Sequence, residues 1–250
     1  MQLMEERRNL ILSEIKKTGV VYVGELSKKY NVSYETIRKD LSFLEKQGLL
    51  IKQHGGATLK QHSVEHPFQT RELENNDSKQ LLAKKAFTLI PPKSSLILGT
   101  GSTIVELAKL FIGQKGYKIF TDSLPIAEIL LATDNQVSFF GGKLRKNSSS
   151  VYGGWTVNQI NQVRVDLCFL GTDGFANFAG PTSPSSSDAF IDQNILKVAE
   201  KSYILGDKSK FNKKSLYNIC DWQKITALIT DKEESEQLTE LKKKTKVITC

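Results

Sequence analysis

Hydrophobic positions in the first sixty residues recur at helical spacing. In Val32 to Leu44, VSYETIRKDLSFL, the residues Ile37, Leu41 and Leu44 fall at i, i+4 and i+7, the spacing of one buried helical stripe. Tyr34, Glu35, Arg38, Lys39 and Ser42 fall outside that stripe. Ser33 stands at the N-cap position, where a side-chain oxygen accepts an otherwise orphan amide. Upstream, residues 4–17 read as a helix with a stripe of Leu10, Ile11, Leu12 and Ile15. Lys16 and Lys17 suit its C-terminal dipole, and Gly19 supplies a stop. Val20 to Val23 reads as a short strand or extended connection, and Gly24 to Tyr30 as a second short helix with Leu26 and Tyr30 inward. Asn31-Val32 forms the turn. Two short helices joined by a tight turn, the second one cationic, are the helix-turn-helix arrangement. After Gly48, Leu49, Ile51 and Gln53 alternate with Leu50, Lys52 and His54. Gly55-Gly56 and Ala57 to Leu59 complete a small hairpin, or wing.

Residues 60–78 are polar and aperiodic and read as a linker, with the charges from Arg71 to Asp77 solvated. From Lys79 the rhythm changes. QLLAKKAFTLI (helix) runs to Pro91-Pro92, followed by SLIL (strand), IVELAKLF (helix), KIFT (strand), PIAEILLA (helix) and QVSFF (strand). Trp155 to Val163 is helical, VDLCFLG a strand, Ser187 to Lys201 a helix and SYILGD a strand. ITALITD, SEQLTELKKK and KVITC close the chain as strand, helix, strand. Strands alternating with helices predict a mostly parallel sheet covered on both faces. The reading is therefore a DNA-binding type module at 1–59, a linker at 60–78 and an α/β domain at 79–250.

Charge sharpens this division. The 250 residues carry a formal net charge of +8, and residues 1–60 hold 11 Lys+Arg against 7 Asp+Glu. About a quarter of the chain thus carries half the excess, which suggests a polyanion partner, with a solvated face as the alternative. On the outer face of the 33–44 helix, cations suit phosphates and short polar groups suit base edges. Lys52 and His54 could reach a phosphate backbone, although a histidine in such a loop is more often simply solvated. Cys168, Cys220 and Cys250 lie far apart, which disfavours disulfides and zinc sites. His62 and His66 are four apart without a third ligand nearby, so no metal and no cofactor is expected. The charged N-terminus lacks a signal-peptide core, and no run approaches the ~18 apolar residues of a membrane span. A cytoplasmic protein without membrane contact is expected.

In parallel α/β sheets, ligands bind outside the carboxyl ends of the strands. LGTGST at 98–103 puts Gly99 and Gly101, the hydroxyls of Thr100, Ser102 and Thr103, and a helix start together. That combination suits a phosphate, although a tight turn with a capped helix has the same composition. It is neither a Walker A loop nor a G-x-G-x-x-G fingerprint. Asp122 and Ser123, then Gly141, Gly142 and Lys143, then the loop with Asp173 and Gly174 also follow apolar runs. Parallel strands would gather these loops into one pocket. A further loop, DKSKF, offers Lys208 and Lys210.

The ordered pattern Arg7-x3-Ile11-x3-Ile15, then Ser33-x2-Thr36-Ile37-Arg38-Lys39-Asp40-Leu41, then HGGA at 54–57, resembles the DNA-binding signature of DeoR-type bacterial transcriptional regulators. The resemblance implies a winged helix-turn-helix domain with Ser33, Thr36, Arg38 and Lys39 facing the operator and Tyr34 as a variable, sequence-choosing position. Asp40 reads as structural, pairing with a cation or capping. LGTGST, TDS, GGK, GTDG and DKSKF look like the landmarks of the family's C-terminal sensor domain, which is similar to ribose-5-phosphate isomerase and binds a phosphorylated sugar. The resemblance thus implies a repressor of a sugar uptake or catabolic operon that binds double-stranded operator DNA as a homo-oligomer, dimer or tetramer. The alternative is a sugar-phosphate isomerase or transferase with a basic appendage. Asp188 is a further effector candidate. Many members carry an aspartate where Gly99 stands and a lysine where Asp192 stands. Lactose-pathway repressors of the family look similar at both places, which points to a hexose or tagatose phosphate.

Overall fold

The computed structural model describes residues 4–18, 20–53, 55–58, 66–175, 179–213 and 215–250. Its contacts divide into two units, Met1–His66 and Pro67–Cys250.

The first unit follows the hydrophobic pattern closely. Helix α1 (Met4–Thr18), strand β1 (Val20–Tyr22), helix α2 (Val23–Tyr30) and helix α3 (Tyr34–Lys46) precede strands β2 (Ile51–Gln53) and β3 (Gly56–Thr58). β3 runs antiparallel to both β1 and β2 and lies between them. Ile11, Ile15, Leu26, Ile37, Leu41, Leu44 and Leu50 are buried together. Leu10, expected in the stripe, is exposed instead. Successive helical residues are turned about 100° apart, so Ile11 facing inward carries Leu10 outward. Asp40 shares the inward side with Ile37 and Leu41. It is 1% exposed and accepts hydrogen bonds from Arg7 Nε at 2.6 Å and Arg8 Nε at 2.8 Å. The carboxylate therefore ties α1 to α3 and neutralises Arg7, itself buried.

The second unit is built on seven strands: β4 (Ser95–Leu98), β5 (Lys115–Thr121), β6 (Asp134–Phe139), β9 (Val165–Gly171), β12 (Ala199–Leu205), β14 (Ala227–Thr230) and β15 (Val247–Thr249). Their order is β15-β14-β12-β9-β4-β5-β6, and every pairing is parallel. Leu96, Leu98, Leu167, Phe169, Leu205 and Ile229 pack on one face, with Leu82, Ile104, Leu107 and Phe111. Ile97, Cys168, Leu170, Ile204 and Leu228 pack on the other, with Ile160, Ile191, Ile195 and Leu238. Burial on both faces explains why SLIL and VDLCFLG are continuous apolar runs. The three cysteines are free.

Three features depart from the pattern. The segment expected to be a linker carries helix α4 (Phe68–Leu73) and the start of α5 (Asn76–Phe87). Phe68 is buried in the core, and its amide donates to the carbonyl of Asn147 at 2.8 Å. Six residues between polar neighbours are too short to show a helical period. The helix expected at 187–201 is α9 (Ser186–Val198), and Ala199 already pairs with Val165 in the sheet. An unforeseen hairpin of β7 (Lys143–Arg145) and β8 (Ser150–Tyr152) also follows β6. Further elements before β15 are helices α7 (Leu124–Leu130), α8 (Gly154–Asn161) and α10 (Glu236–Lys242), and a small antiparallel sheet of β10 (Gly174–Phe175), β11 (Pro181–Ser183) and β13 (Tyr217–Asn218).

Removing the Asp40 carboxylate leaves a buried guanidinium uncompensated, which typically costs 3–5 kcal/mol. Asp40→Ala should therefore destabilise the first unit while leaving the second intact. Hydrogen exchange on the full chain should show loss of protection confined to α1–α3. Unchanged protection there would remove Asp40 from the role of clamp.

Candidate functional site

α3 is held by its inner stripe and leaves its outer face open. Ser33 Oγ accepts from Thr36 N at 3.2 Å and lies 2.9 Å from Thr36 Oγ1, so the first turn is capped as the sequence predicts. Tyr34, Arg38 and Lys39 are exposed. Lys39 forms an ion pair with Glu35 at 3.1 Å, whereas Arg38 makes no ion pair among the described residues. Lys52, on β2, donates to Ser42 Oγ at 2.8 Å, and its amide donates to Glu45. The wing is thereby tied to the exposed side of α3. Asn31, with φ 50°, makes the turn between α2 and α3. His54 and His62 lie outside the described residues.

A second constellation lies in the α/β unit. The chain lays β4 first, builds outward through β5 and β6, then returns to place β9 on the other flank of β4. The loops after β4 and β9 therefore flank the topological switch point, where such sheets bind ligands. A cleft there is lined by Thr100, Gly101, Ser102 and Thr103 from the first loop, and by Gly171, Thr172 and Asp173 from the second. Gly101, at φ +139°, has a backbone conformation that L side chains rarely adopt, and its carbonyl accepts from Val105 N as α6 (Ser102–Lys109) begins. Asp188 and Asp192 of α9, Asp207 and Lys210 after β12, Arg71 of α4, Lys79 of α5 and Glu74 between these two helices also line it.

Of the expected effector residues, Thr100, Gly101, Ser102, Thr103, Asp173, Asp188 and Lys210 line this cleft. Gly99, Asp122, Ser123, Gly141, Gly142, Lys143, Gly174 and Lys208 do not. The strand ends do lie on one sheet edge, but β5 and β6 are displaced to one side of the switch point, and their loops are covered by the β7–β8 hairpin. Val151 N donates to the Asp122 carbonyl, and Leu124 N to that of Ser149. Two of the glycines serve close packing instead. A Cβ on Gly142 would lie 2.1 Å from Thr156 Oγ1, and one on Gly174 would lie 2.2 Å from the Lys213 carbonyl oxygen. Lys143 and Lys208 are exposed. The hairpin turn instead joins the cleft's surroundings: Thr100 Oγ1 donates to Ser148 O at 3.2 Å, and Arg145 pairs with Asp188 at 3.1 Å.

The cleft holds charges of both signs, with Asp207 and Glu74 beside Lys79 and Asp173 beside Arg71. Lys79 is 4% exposed, and its ammonium donates to the Arg71 carbonyl. Burial, then the neighbouring Lys210, lowers it to about 8. Toward α9, burial raises Asp192 well above the usual carboxylate range, with Asp122, Asp188 and Asp173 adding repulsion. Burial likewise raises Asp122 to about 7, Asp188 contributing. Arg71, whose Nη1 is 4.0 Å from Asp173, stands between these groups. Arg71, Glu74, Asn75 and Lys79 belong to the segment that reads as a solvated linker. One signal could have exposed them: Lys79 sits at i, with Leu82, Ala83 and Ala86 at i+3, i+4 and i+7, a lysine on an apolar stripe.

A helix-turn-helix unit with an open cationic reading face, followed by a parallel α/β unit with a polar cleft at its switch point, defines a DNA-binding transcription regulator with a ligand-sensing domain. The comparisons agree. The DeoR-like helix-turn-helix domain matches residues 7–63, and the DeoR C-terminal sensor domain matches residues 74–232. The chain belongs to the DeoR family. It is 33% identical to the HTH-type transcriptional regulator GolR of Listeria innocua, covering 93% of this chain and 92% of that one. It is 28% identical to the glycerol-3-phosphate regulon repressor of Escherichia coli K12 over 90% of each. Identity to the lactose phosphotransferase system repressor of Staphylococcus epidermidis is 29%, over 97% of this chain and 98% of that one. These relatives are regulators, and that class, rather than an isomerase or transferase, is the one to which the chain belongs. Among solved structures, ribose 5-phosphate isomerase A of Methanocaldococcus jannaschii aligns over 56% of each chain, with TM-score 0.43 and 18% identity.

Asp122 yields a pH prediction. With its midpoint raised from 3.8 to about 7, the folded chain holds a proton that the unfolded chain releases. The stability linked to that proton is present below pH 3.8 and is lost as pH rises through about 7. Asp122→Asn keeps the neutral form at every pH. Its melting temperature relative to wild type should therefore rise by several degrees between pH 5 and pH 8. A difference that does not vary with pH would show that Asp122 ionises normally.

Proposed function

We propose that this chain represses a sugar uptake or catabolic operon and that a phosphorylated sugar bound in the switch-point cleft controls it. The observation that carries the reading is the pairing, in one chain, of an open α3 face with a cleft whose first loop offers backbone amides, hydroxyls and a helix start. Ser33, Thr36, Arg38 and Lys39 face operator DNA, Tyr34 adjusts sequence choice, and Lys52 and His54 contact phosphates. The names of two relatives, a glycerol-3-phosphate regulon repressor and a lactose phosphotransferase system repressor, support the repressor reading, one with a polyol-phosphate theme and one with a sugar theme. One short reading helix gives limited specificity, so the protein acts in the cytoplasm as a homo-oligomer, dimer or tetramer, on repeated half-sites. The ligand switches DNA affinity only through unequal affinity for the DNA-competent and DNA-incompetent states.

DNA fragments selected from the host genome by the wild-type chain provide the test. Arg38→Ala should weaken binding to them by about tenfold to a hundredfold per half-site, the scale of one lost base-edge contact, while melting of the α/β unit stays unchanged. Wild-type affinity in that variant would remove α3 from the reading role. In the Ser102→Ala/Thr103→Ala double variant, DNA binding should persist, but release by phosphorylated hexoses and pentoses should need a higher concentration. An unaltered dose–response would take the first loop out of the ligand site.

A further inference from the structure

The second unit carries an uncharged aromatic surface that neither the core nor the cleft explains. Helix α8 packs beside α9, and α9 packs beside β13. Gln193 Nε2 of α9 donates to the Asn218 carbonyl at 3.1 Å. Ile160, Ile191 and Ile195 turn inward from the two helices into the core. The helical period then turns Trp155 and Asn158 outward on α8, and Ser186, Phe190, Gln193 and Lys197 outward on α9. Trp155 is 79% exposed and Phe190 53%; Tyr217 on β13 is 42% exposed and Leu216 before it 78%. Exposed apolar side chains scattered singly are ordinary, whereas three aromatic rings and a leucine on adjoining elements form a patch. Together they present on the order of 500 Å² of accessible surface, a size that marks an interaction site.

Charge indicates what covers the patch. Gly154–Asn161 contains no charged side chain, in a chain of which 25% is charged. The outer stripe of α9 carries one, Lys197, at its far end. On the opposite helical layer, exposed apolar residues are mixed with charge, Leu81 with Lys84 on α5 and Leu131 with Glu128 at the end of α7. A chain of net charge +8 repels a second copy of itself wherever that charge is displayed. The neutral patch is where two copies meet without that penalty. Enrichment in Trp, Tyr and Phe with depletion of charge is the composition of an interface core. With the neighbouring Asn158, Ser186 and Gln193 as rim, the patch approaches the about 800 Å² per partner of a stable interface, in roughly the apolar proportion of homodimers.

We propose that two copies of this chain associate through the outer face of α8, α9 and β13, in a two-fold arrangement in which both copies use the same patch. This rests on the reading of the protein as a homo-oligomer on repeated half-sites, and it names the surface that joins the copies. A pair joined in this way carries two α3 helices in one particle, as two half-sites require. The inner side of α9 supplies Asp188 and Asp192 to the cleft, so one helix serves both the cleft and the partner copy.

Sedimentation velocity of the full-length protein over a range of concentrations provides the test, with Trp155→Asp and Phe190→Asp as variants and Leu131→Asp as the control. All three side chains are more than half exposed, so the substitutions leave the core untouched. Each patch variant should raise the dissociation constant of the dimer by at least about tenfold, since it places an unpaired charge in an apolar interface. Leu131→Asp should leave it unchanged. A second readout needs no variant. Trp222 is 1% exposed, so acrylamide quenching reports on Trp155, and it should increase as the wild type is diluted. If the wild type associates and both patch variants associate equally well, the homo-oligomer reading stands and this surface falls. Loss of association in Leu131→Asp alone moves the interface to the opposite layer and overturns the proposal. If the wild type is a monomer at every concentration, both readings fall, and shielding of Trp155 in that monomer assigns the patch to the chain's own first unit.

Discussion

Strand β4 is laid down first, and the sheet grows from it in both directions. That order of construction is the constraint on which the rest of the α/β unit depends. β5 and β6 extend one flank, and β9, β12, β14 and β15 extend the other. Connections on the two flanks leave β4 and β9 toward opposite faces, which opens a gap between their loops. Parallel pairing throughout requires both faces to be covered, so Leu167 and Phe169 pack against one helical layer while Cys168 and Leu170 pack against the other. The cleft is therefore a product of chain topology, and side chains only determine what it can hold.

What it can hold follows from the division of charge. Carboxylates on α9 and beneath it favour their neutral forms because burial and mutual repulsion act together. At the other end Lys79 stays largely charged near neutral pH, since its midpoint of about 8 lies above it. The region around Lys79 is itself mixed, since the carboxylates of Asp207 and Glu74 stand beside it and favour its charged form. The two departures from the family pattern meet in this region: a Cβ on Gly99 would lie 3.8 Å from Asp192 Oδ1. An aspartate and a lysine at these positions would be neighbours able to pair; here Asp192 has no ion-pair partner among the described residues, and burial followed by its carboxylate neighbours raises its midpoint.

Much of this architecture was legible in the sequence because period and burial coincide where elements are long. The 37–41–44 stripe, the Ser33 cap and the apolar runs of β4 and β9 all appear as read. Asp40 was legible as structural, although its partners Arg7 and Arg8 are brought to it by tertiary packing. The cleft was half legible. Loop composition identified Thr100 to Thr103 and Asp173, but composition carries no information about lateral position in a sheet. Asp122 and Lys143 therefore resembled pocket residues while lying toward the flank of β5 and β6. Arg71 and Lys79 were lost for the opposite reason. α4 has six residues, too few for a periodic signal, and charged residues between polar neighbours look solvated until Phe68 is seen to anchor the segment in the core.

That anchoring bears on how a sensor of this kind can signal. Phe68 is fixed by apolar burial and by the bond from its amide to Asn147, so α4 does not depend on ligand to be attached. The hairpin that receives that bond also bonds Thr100 and pairs Arg145 with Asp188. The hairpin is thus bonded separately to the first loop, to α4 and to α9. Among the elements joined to the hairpin, α4 is the one nearest in sequence to the DNA-binding module.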